Sequence, residues 1–296
     1  MFMKRKNASL MLALLLMIGV LAACGGNGNN SDSGSNGDEV SGMVTAAGST
    51  ALQPLAEEAA DEFIANNPNV SVTVQGGGSG TGINQVASGA VNIGNPDVSS
   101  ADKLEDEQLA SELVDNKVAG IAFGIVVNED VDVENLTVEQ IQKIFSGEIT
   151  NWKDVGGKDL VINVVNRPAS SGTRNTFEKT IMKDVKINDS IGTNQDSNGA
   201  VEKSITSTSG SISYLAMSYM VEGKDTALKT IKIDGAEPTT ENVVNGSYPL
   251  WAYQYMVTKG EPEGAVKSFI DFMVSDEFAA KAGEMGYIPM SELQGK

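Results

Sequence analysis

Three loops in this sequence place serine, threonine and glycine residues directly before a segment with a helical pattern. The first loop contains Ser49 and Thr50, the second spans 75–82, and the third spans 166–174. The first turn of a helix has unpaired N–H groups and a partial positive charge, and hydroxyl groups add further hydrogen-bond donors. Each loop is therefore a candidate site for a small anion.

The first loop offers the hydroxyls of Ser49 and Thr50 and the backbone N–H of Ala51, ahead of a helix that tolerates Pro54 in its first turn. Ser and Thr are also the usual caps of helices that bind nothing. Taken alone, this loop favours simple capping over anion binding.

The second loop contains five glycines together with Ser79 and Thr81. It is not a GxGxxG dinucleotide fingerprint, and it is not a P-loop because Ile83 stands where a P-loop requires lysine. Glycines allow close approach of the backbone to a ligand, and they also suit a bare turn. Since a helical segment follows, anion binding is modestly favoured.

The third loop combines Arg167 with Ser171, Gly172 and Thr173 at the start of a predicted helix. The arginine fork suits an oxyanion, although pairing with one of the 39 acidic residues is the alternative. Arg174 is a weaker candidate. A cation in the first helical turn opposes the helix dipole, so it needs an anionic partner, either in the protein or in a ligand.

One carboxylate, Asp97, follows a predicted strand and lies in a loop with Asn95 and Pro96. As a turn residue or helix cap it would be ordinary. Facing an anion, a carboxylate is repulsive unless a shared proton makes the contact a hydrogen bond. Asp97 would then select a protonated anion.

The composition excludes several classes of function. The 296 residues include no histidine, which removes the Ser-His-Asp triad, the Cys-His pair and zinc sites that need an imidazole ligand. The net charge of −18 argues against nucleic acid as a partner, because binding a phosphate backbone needs clustered Lys and Arg. The sequence indicates no metal site and no cofactor.

The first residues predict a processed and anchored N-terminus. Residues 1–23 carry three basic residues and an apolar stretch at 10–21 that is too short to span a membrane, as in a signal peptide. The sequence at 21–24 resembles the bacterial lipobox, which predicts lipid modification of Cys24. Residues 24–42 are rich in Gly, Asn and Ser and predict a flexible, lipid-anchored linker.

The remaining chain alternates β-rich and helical segments, which predicts an α/β fold with mostly parallel sheets. The predicted strands lie near 43–47, 70–74, 91–94, 117–127, 160–165, 210–214, 229–234 and 250–258. The predicted helices lie near 51–66, 82–88, 139–146, 173–183, 198–207 and 264–282. Long apolar runs at 118–127 and 248–257 are expected to cross between two domains, a discontinuous domain I (43–119 plus 250–296) and domain II (120–249). A cleft between them would be the ligand site.

Taken together, these loops resemble the phosphate-binding proteins of bacterial phosphate ABC importers (PstS type). The resemblance covers essentially all of 43–296 and rests on segments in the family's order and spacing: 48–50, 75–80, Asp97, 144–152, 156–157, Arg167, 171–173 and 210–214. It implies a two-domain periplasmic-binding-protein fold of the type II-like class, with two crossover strands and a cleft that closes on one dehydrated phosphate. It also implies an extracytoplasmic receptor that acts as a monomer and delivers phosphate to the permease of an ABC importer.

The family's phosphate ligands, transferred position by position, are Thr50, Ala51 through its backbone N–H, Ser79, Asp97, Arg167, Ser171, Gly172 and Thr173, with Ser49 and Arg174 as weaker candidates. The sequence departs from the family where Ala169 replaces an aspartate and Ser170 replaces a glycine. The aspartate would hold the arginine fork, so we expect another acid to orient Arg167.

Two other functions stay open at this point. A receptor for another tetrahedral anion such as sulfate is the first, but sulfate lacks a proton at neutral pH and would meet Asp97 unfavourably. A phosphatase that uses Ser49 or Ser171 as the nucleophile is the second. With no histidine, no metal cluster and no evident general base, its chemistry lacks the usual groups.

Overall fold

The computed structural model describes residues 40–104, 106–221 and 227–294. The predicted signal peptide, Cys24 and most of the predicted linker lie outside these residues. The first strand begins at Gly42, the last residue assigned to the linker. None of the helices in the described ranges is both long and apolar enough to cross a membrane.

Within the described ranges, ten strands form the sheet. They are β1 (Gly42–Gly48), β2 (Val70–Gly76), β3 (Ile93–Asn95), β4 (Leu113–Asn128), β5 (Asn135–Leu136), β6 (Asn163–Asn166), β7 (Thr193–Asn194), β8 (Ser211–Ala216), β9 (Leu228–Ile233) and β10 (Trp251–Lys259). Their order is β2-β1-β3-β10-β4-β8-β6-β7, and β9 pairs with β4 and β5.

Ten helices flank these strands in the described chain. They are α1 (Gln53–Asn66), α2 (Ser79–Ala87), α3 (Ser100–Lys103), α4 (Glu107–Ser111), α5 (Val138–Ser146), α6 (Gly172–Phe177), α7 (Asn198–Ser207), α8 (Thr240–Asn245), α9 (Gly264–Met273) and α10 (Asp276–Glu284). A π-helical turn, Glu178–Met182, continues α6.

Strand β4 connects the two ends of the sheet. It pairs with β10 from Leu113 to Ala122 and with β8 from Phe123 onward. Beside this change of partner, the Phe123 N–H donates to the carbonyl of Leu250, and the Tyr248 hydroxyl donates to the carbonyl of Phe123. Both predicted crossing runs therefore meet at this point of the sheet.

The expectation of mostly parallel sheets is only partly correct. The outer pairs β1–β2, β1–β3, β6–β7 and β6–β8 are parallel, but β10–β3, β10–β4, β4–β8 and β4–β9 are antiparallel. The reason is that β4 and β10 lie side by side in the middle of the sheet and run in opposite directions. The fold is a mixed α/β sheet covered by helices.

Burial explains why β4 is so apolar. Every residue from Val118 to Asn128 is buried, which is the pattern of a strand covered on both faces. The largest hydrophobic core cluster extends along the whole sheet and contains β4 residues such as Ile121 and Ile125. This core supports the strands from whose ends the candidate loops leave.

Candidate functional site

The candidate loops all leave the carboxyl ends of parallel strands. Ser49 follows β1, Ser79 begins α2 after β2, Asp97 follows β3, and Arg167 follows β6. Strands β1 and β3 run in the same direction as β4, whereas β6 and β8 run opposite to it. The carboxyl ends of β1–β3 and of β6 therefore point toward each other, and α/β sheets bind their ligands at such carboxyl ends. The eight predicted ligand residues are buried there: Thr50, Ala51, Ser79, Asp97, Arg167, Ser171, Gly172 and Thr173.

Asp97 connects these loops to each other. Its Oδ1 accepts a hydrogen bond from the Ser49 hydroxyl, and its Oδ2 accepts one from the Thr173 hydroxyl at 3.0 Å. Its backbone N–H donates to the Ser79 Oγ at 3.1 Å. Burial raises the pKa of Asp97, and the hydrogen bonds from Ser49, Thr173 and Gln254 and the charge of Arg167 partly oppose this rise.

Gly172 allows the two sides of the site to approach each other. A Cβ atom at this position would lie 2.9 Å from the Cβ atoms of both Asp97 and Ser79. Nearby, the Gly80 N–H donates to the carbonyl of Ser170 at 3.0 Å. The loop after β6 therefore contacts the loops after β2 and β3 directly, through backbone positions that leave no room for a side chain.

Arg167 is held by main-chain carbonyls and not by the acid that we expected in place of the family aspartate. Its Nε donates to the carbonyl of Gln195 at 2.9 Å, and its Nη2 donates to the carbonyl of Asp196 at 3.1 Å. Arg167 is 1% exposed, and its Nη1 has no hydrogen-bond partner among the described residues. Burial lowers the pKa of the guanidinium, and the charge of Asp97 counteracts this shift. One charged donor of Arg167 is thus buried and has no acceptor among the described residues.

Arg174 has its anionic partners within the protein. It forms a two-pronged pair with Asp189, with N–O distances of 2.6 and 3.0 Å, and its Nε donates to Glu178 at 2.8 Å. Its Nη1 also donates to the carbonyl of Arg167 at 2.7 Å. The structure therefore favours the protein-partner alternative for Arg174, which supports the backbone of Arg167 from behind.

Three hydroxyls of the site act as acceptors toward the protein and keep their own hydrogens. Ser79 accepts from the Asp97 N–H, Ser171 accepts from the Arg174 N–H, and Thr50 accepts from the backbone N–H and the side-chain amide of Asn198. No acceptor for these three hydrogens occurs in the ranges that the structure describes. All three side chains are buried, and a buried donor needs an acceptor. A bound ligand could supply the acceptor for each of these hydrogens.

Two predicted donors are engaged by neighbouring residues. The Ala51 N–H donates to the Ser49 Oγ at 3.0 Å, and the Thr173 hydroxyl donates to Asp97. Asn198 is the residue that sequence reasoning missed. It is the first residue of α7, after the cap Ser197, and its type is too common at that position to indicate a role.

The Ser49–Asp97 pair is the arrangement in the site that most resembles a nucleophile beside a base. The sequence did not indicate a base there, because the two residues are 48 positions apart. The second oxygen of Asp97 is taken by Thr173, and Ser49 also accepts from Ala51. Within the described ranges, no group of three His, Cys, Asp or Glu residues could hold a metal ion. The arrangement is best suited to surrounding an oxyanion with donors.

A protein-family model and a related sequence each match most of this chain. Residues 33–277 match the PBP superfamily domain. The chain is 42% identical over 297 residues to the phosphate-binding protein PstS of Bacillus subtilis, covering 99% of this chain and 97% of that protein.

Two solved structures have a similar fold. A protein from Clostridium perfringens, assigned as a phosphate ABC transporter substrate-binding protein and crystallised with bound phosphate, matches with a TM-score of 0.77 and 31% identity over 84% of this chain and 99% of that one. An ABC-type phosphate transport receptor from Vibrio cholerae matches with a TM-score of 0.65 and 29% identity over 83% of this chain and 99% of that one.

Proposed function

We propose that this protein, which belongs to the PstS family of phosphate-binding proteins within the PBP superfamily, captures inorganic phosphate at the Asp97 site and delivers it to the permease of an ABC importer. The observation that carries the proposal is the set of unengaged donors around one buried carboxylate. The hydroxyls of Thr50, Ser79 and Ser171 and the Nη1 of Arg167 supply hydrogens, and the carboxylate of Asp97 supplies an acceptor.

This set of groups matches the chemistry of phosphate. Phosphate has four oxygens that accept hydrogen bonds, and near neutral pH at least one of them also carries a hydrogen. In our proposal Asp97 accepts a hydrogen bond from that protonated oxygen, while the hydroxyls and Arg167 donate hydrogen bonds to the remaining oxygens. The proposed ligands are the eight predicted residues, of which Ala51 and Thr173 would exchange their present acceptors, Ser49 and Asp97, for the ion. The hydroxyl of Ser49 acts on Asp97, and the guanidinium of Arg174 acts on the backbone of Arg167.

The chain acts as a receptor and not as an enzyme in this proposal. Ser49 is the hydroxyl nearest to a base, but its hydrogen-bond donor is directed at Asp97, which needs to remain an acceptor for the ligand. We therefore expect bound phosphate to leave unchanged and phosphate esters to remain intact.

The site would lie in a cleft that closes between domain I (43–119 plus 250–296) and domain II (120–249). We place the protein outside the cytoplasm, attached to the membrane by a lipid on Cys24 and held away from the surface by the linker at 24–42. It would act as a monomer, and the membrane permease would receive the phosphate when the cleft opens.

Calorimetric titration of phosphate-free protein with phosphate, sulfate and arsenate tests the proposal. Phosphate should bind tightly in a one-to-one complex, and sulfate should bind far more weakly because it brings no hydrogen for Asp97. Equal binding of sulfate and phosphate would make the protein a general oxyanion receptor. Release of phosphate from an ester such as p-nitrophenyl phosphate by the purified protein would instead support a phosphatase.

A further inference from the structure

Asn198 lies opposite Thr50 and connects α7 to the loop after β1. It is fully buried, and it contacts Thr50 Oγ1 twice, through its backbone N–H at 3.1 Å and through its Nδ2 at 3.0 Å. The two residues are 148 positions apart and belong to the two different predicted domains. This contact forms part of the closed site.

The orientation of the Asn198 amide is fixed by the end of β8. The backbone N–H of Ala216 donates to the Asn198 Oδ1 at 3.2 Å. Because an N–H can only donate, the atom that it contacts must be the amide oxygen, and the atom that faces Thr50 must be the NH₂ group. The protein backbone therefore determines that Asn198 is a donor toward Thr50.

The two donors from Asn198 leave the Thr50 hydroxyl able to form only one further hydrogen bond, in which it donates its own hydrogen. A hydroxyl has two lone pairs and one hydrogen, and both lone pairs of Thr50 Oγ1 face an N–H group of Asn198. The hydrogen has no acceptor in the part of the chain that the structure describes. The Tyr219 hydroxyl donates to the Thr50 carbonyl at 3.0 Å, which also fixes the backbone of this residue.

We propose that Asn198 is a specificity-determining positioning residue that forces the Thr50 hydroxyl to act only as a hydrogen-bond donor toward the ligand. The inference rests on the proposed function, and it adds Thr50 to Asp97 as a second residue that selects among anions. At Thr50 the oxygen of the anion must accept a hydrogen bond, whereas at Asp97 it must donate one. Together the two residues set the orientation of a partly protonated anion.

A double-mutant cycle on the full chain tests this inference, with inorganic phosphate as the probe and calorimetry as the measurement. Asn198→Ala removes the amide donor and frees one lone pair of Thr50, and Thr50→Val removes the hydroxyl while keeping the shape. Each change should weaken phosphate binding by about tenfold. If Asn198 acts through Thr50, the double variant should bind about as well as Thr50→Val alone.

Ser197→Ala is the matched control. Ser197 Oγ accepts the Ala200 N–H at 3.1 Å, so this change also loosens the start of α7 but leaves both contacts to Thr50 in place. It should lower the melting temperature with less than a twofold effect on phosphate affinity. An equal loss of affinity in Ser197→Ala would show that α7 stability, not the polarity of Thr50, is what matters, and would overturn the inference.

Asn198→Asp replaces Asn198→Ala in the cycle if the alanine variant does not fold, since it keeps the shape and the acceptor for Ala216. The added charge repels phosphate in both Thr50 backgrounds and so cancels in the cycle. Losses that multiply independently in the double variant would overturn the role of Asn198. Failure of the wild-type protein to bind phosphate would instead overturn the proposed function.

Discussion

At the scale of single residues, we expect Asp97 to determine which anions the candidate site binds. Both of its oxygens already accept hydroxyl hydrogens, from Ser49 and Thr173, and the carboxylate is 2% exposed. A ligand oxygen that brings no hydrogen would face this carboxylate as a second acceptor. Leaving a buried polar group without a partner costs about 1–3 kcal/mol, and like charges add repulsion.

We therefore predict that Asp97→Asn changes the selectivity of the protein. The amide is uncharged and can donate, so the preference for phosphate over sulfate should fall by about tenfold or more. Competition titrations of wild type and Asp97→Asn with the two anions measure this ratio. An unchanged ratio would identify Asp97 as a turn residue with no part in selection.

The same residue predicts a pH dependence of stability in the ligand-free protein. Burial raises the folded-state pKa of Asp97 above its ordinary value of 3.8, so folding disfavours the ionised form. This destabilisation is absent below the unfolded pKa, develops as the pH rises toward the folded pKa, and is complete above it. Asp97→Asn should therefore gain stability relative to wild type as the pH rises above 3.8 and through the raised folded-state pKa of Asp97.

Denaturant unfolding of both proteins at a series of pH values gives this comparison. Each protein also loses other carboxylate interactions in acid, which is why the difference between the two carries the prediction. A difference that does not vary with pH would mean that Asp97 ionises in the folded protein as easily as in the unfolded chain.

At the scale of elements, the short strand β7 positions the site arginine. It pairs with β6 at Val165↔Thr193 and Asn166↔Asn194, and the Gln195 N–H then donates to the Asn166 carbonyl at 2.9 Å. This pairing fixes the two carbonyls that hold the Arg167 fork. The carbonyls of Gln195 and Asp196 thus orient Arg167, as the family aspartate would do from the position where Ala169 stands.

Gly192→Ala should disturb this support. Gly192 has φ +70°, and a Cβ there would overlap the carbonyl oxygen of Val164. The segment that begins β7 would have to move away from β6, and Arg167 would lose its orientation. We predict a loss of phosphate affinity of about tenfold in calorimetric titration, together with reduced stability.

Gly156→Ala is the control for backbone strain. Gly156 has φ +92°, and a Cβ there would meet nothing within 4 Å. Left-handed backbone costs a non-glycine residue about 1–2 kcal/mol, so this variant should lose stability and keep its affinity. Similar affinity losses in both variants would exclude a special role for β7.

The elements also show what could be predicted from sequence. The long strands and helices were found because their apolar periodicity is a local property. The predicted helix at 264–282 is two helices, α9 and α10, separated where Ser275 caps α10 through the Phe278 N–H. The short helices α3, α4 and α8 were not predicted, since four to six residues give too little periodicity to recognise.

The site was accessible to sequence reasoning only in part. Hydroxyls and glycines before helices are visible as local motifs. The resemblance to phosphate-binding proteins predicted that these motifs bind one anion together. The carbonyls that hold Arg167 lie 28 and 29 residues away, and every residue has a carbonyl, so residue type carries no signal. Asn198 was missed for the similar reason that its role depends on a contact made only in the folded chain.

At the scale of the whole molecule, several contacts join the two predicted domains around the site. Thr173 donates to Asp97 at 3.0 Å, and Lys103 Nζ donates to the carbonyl of Ala169 at 2.8 Å. We expect these contacts to block the entry of a phosphate ion, and we therefore predict that binding and release need the two predicted domains to separate. The predicted hinges lie near 119–122 and 248–251, beside the change of partner along β4.

We predict that phosphate shifts the protein from an open to a closed shape. Small-angle scattering of the phosphate-free protein should give a larger radius of gyration than scattering with saturating phosphate. Sulfate at the same ionic strength is the control and should leave the radius unchanged. Equal radii with and without phosphate would mean that the protein is already closed before it binds.

The continuity of β4 has a consequence for the conformational entropy of binding. Two domains on a flexible tether would lose many backbone conformations when a ligand brings them together, and that loss would be subtracted from the affinity. Here one strand is paired on both sides of the crossing point and is buried along its whole central part. In the proposed opening, only a few backbone torsions of an ordered chain would rotate, so closure would order very little that was not ordered before. The free energy of the hydrogen bonds to the ion would then be retained as affinity.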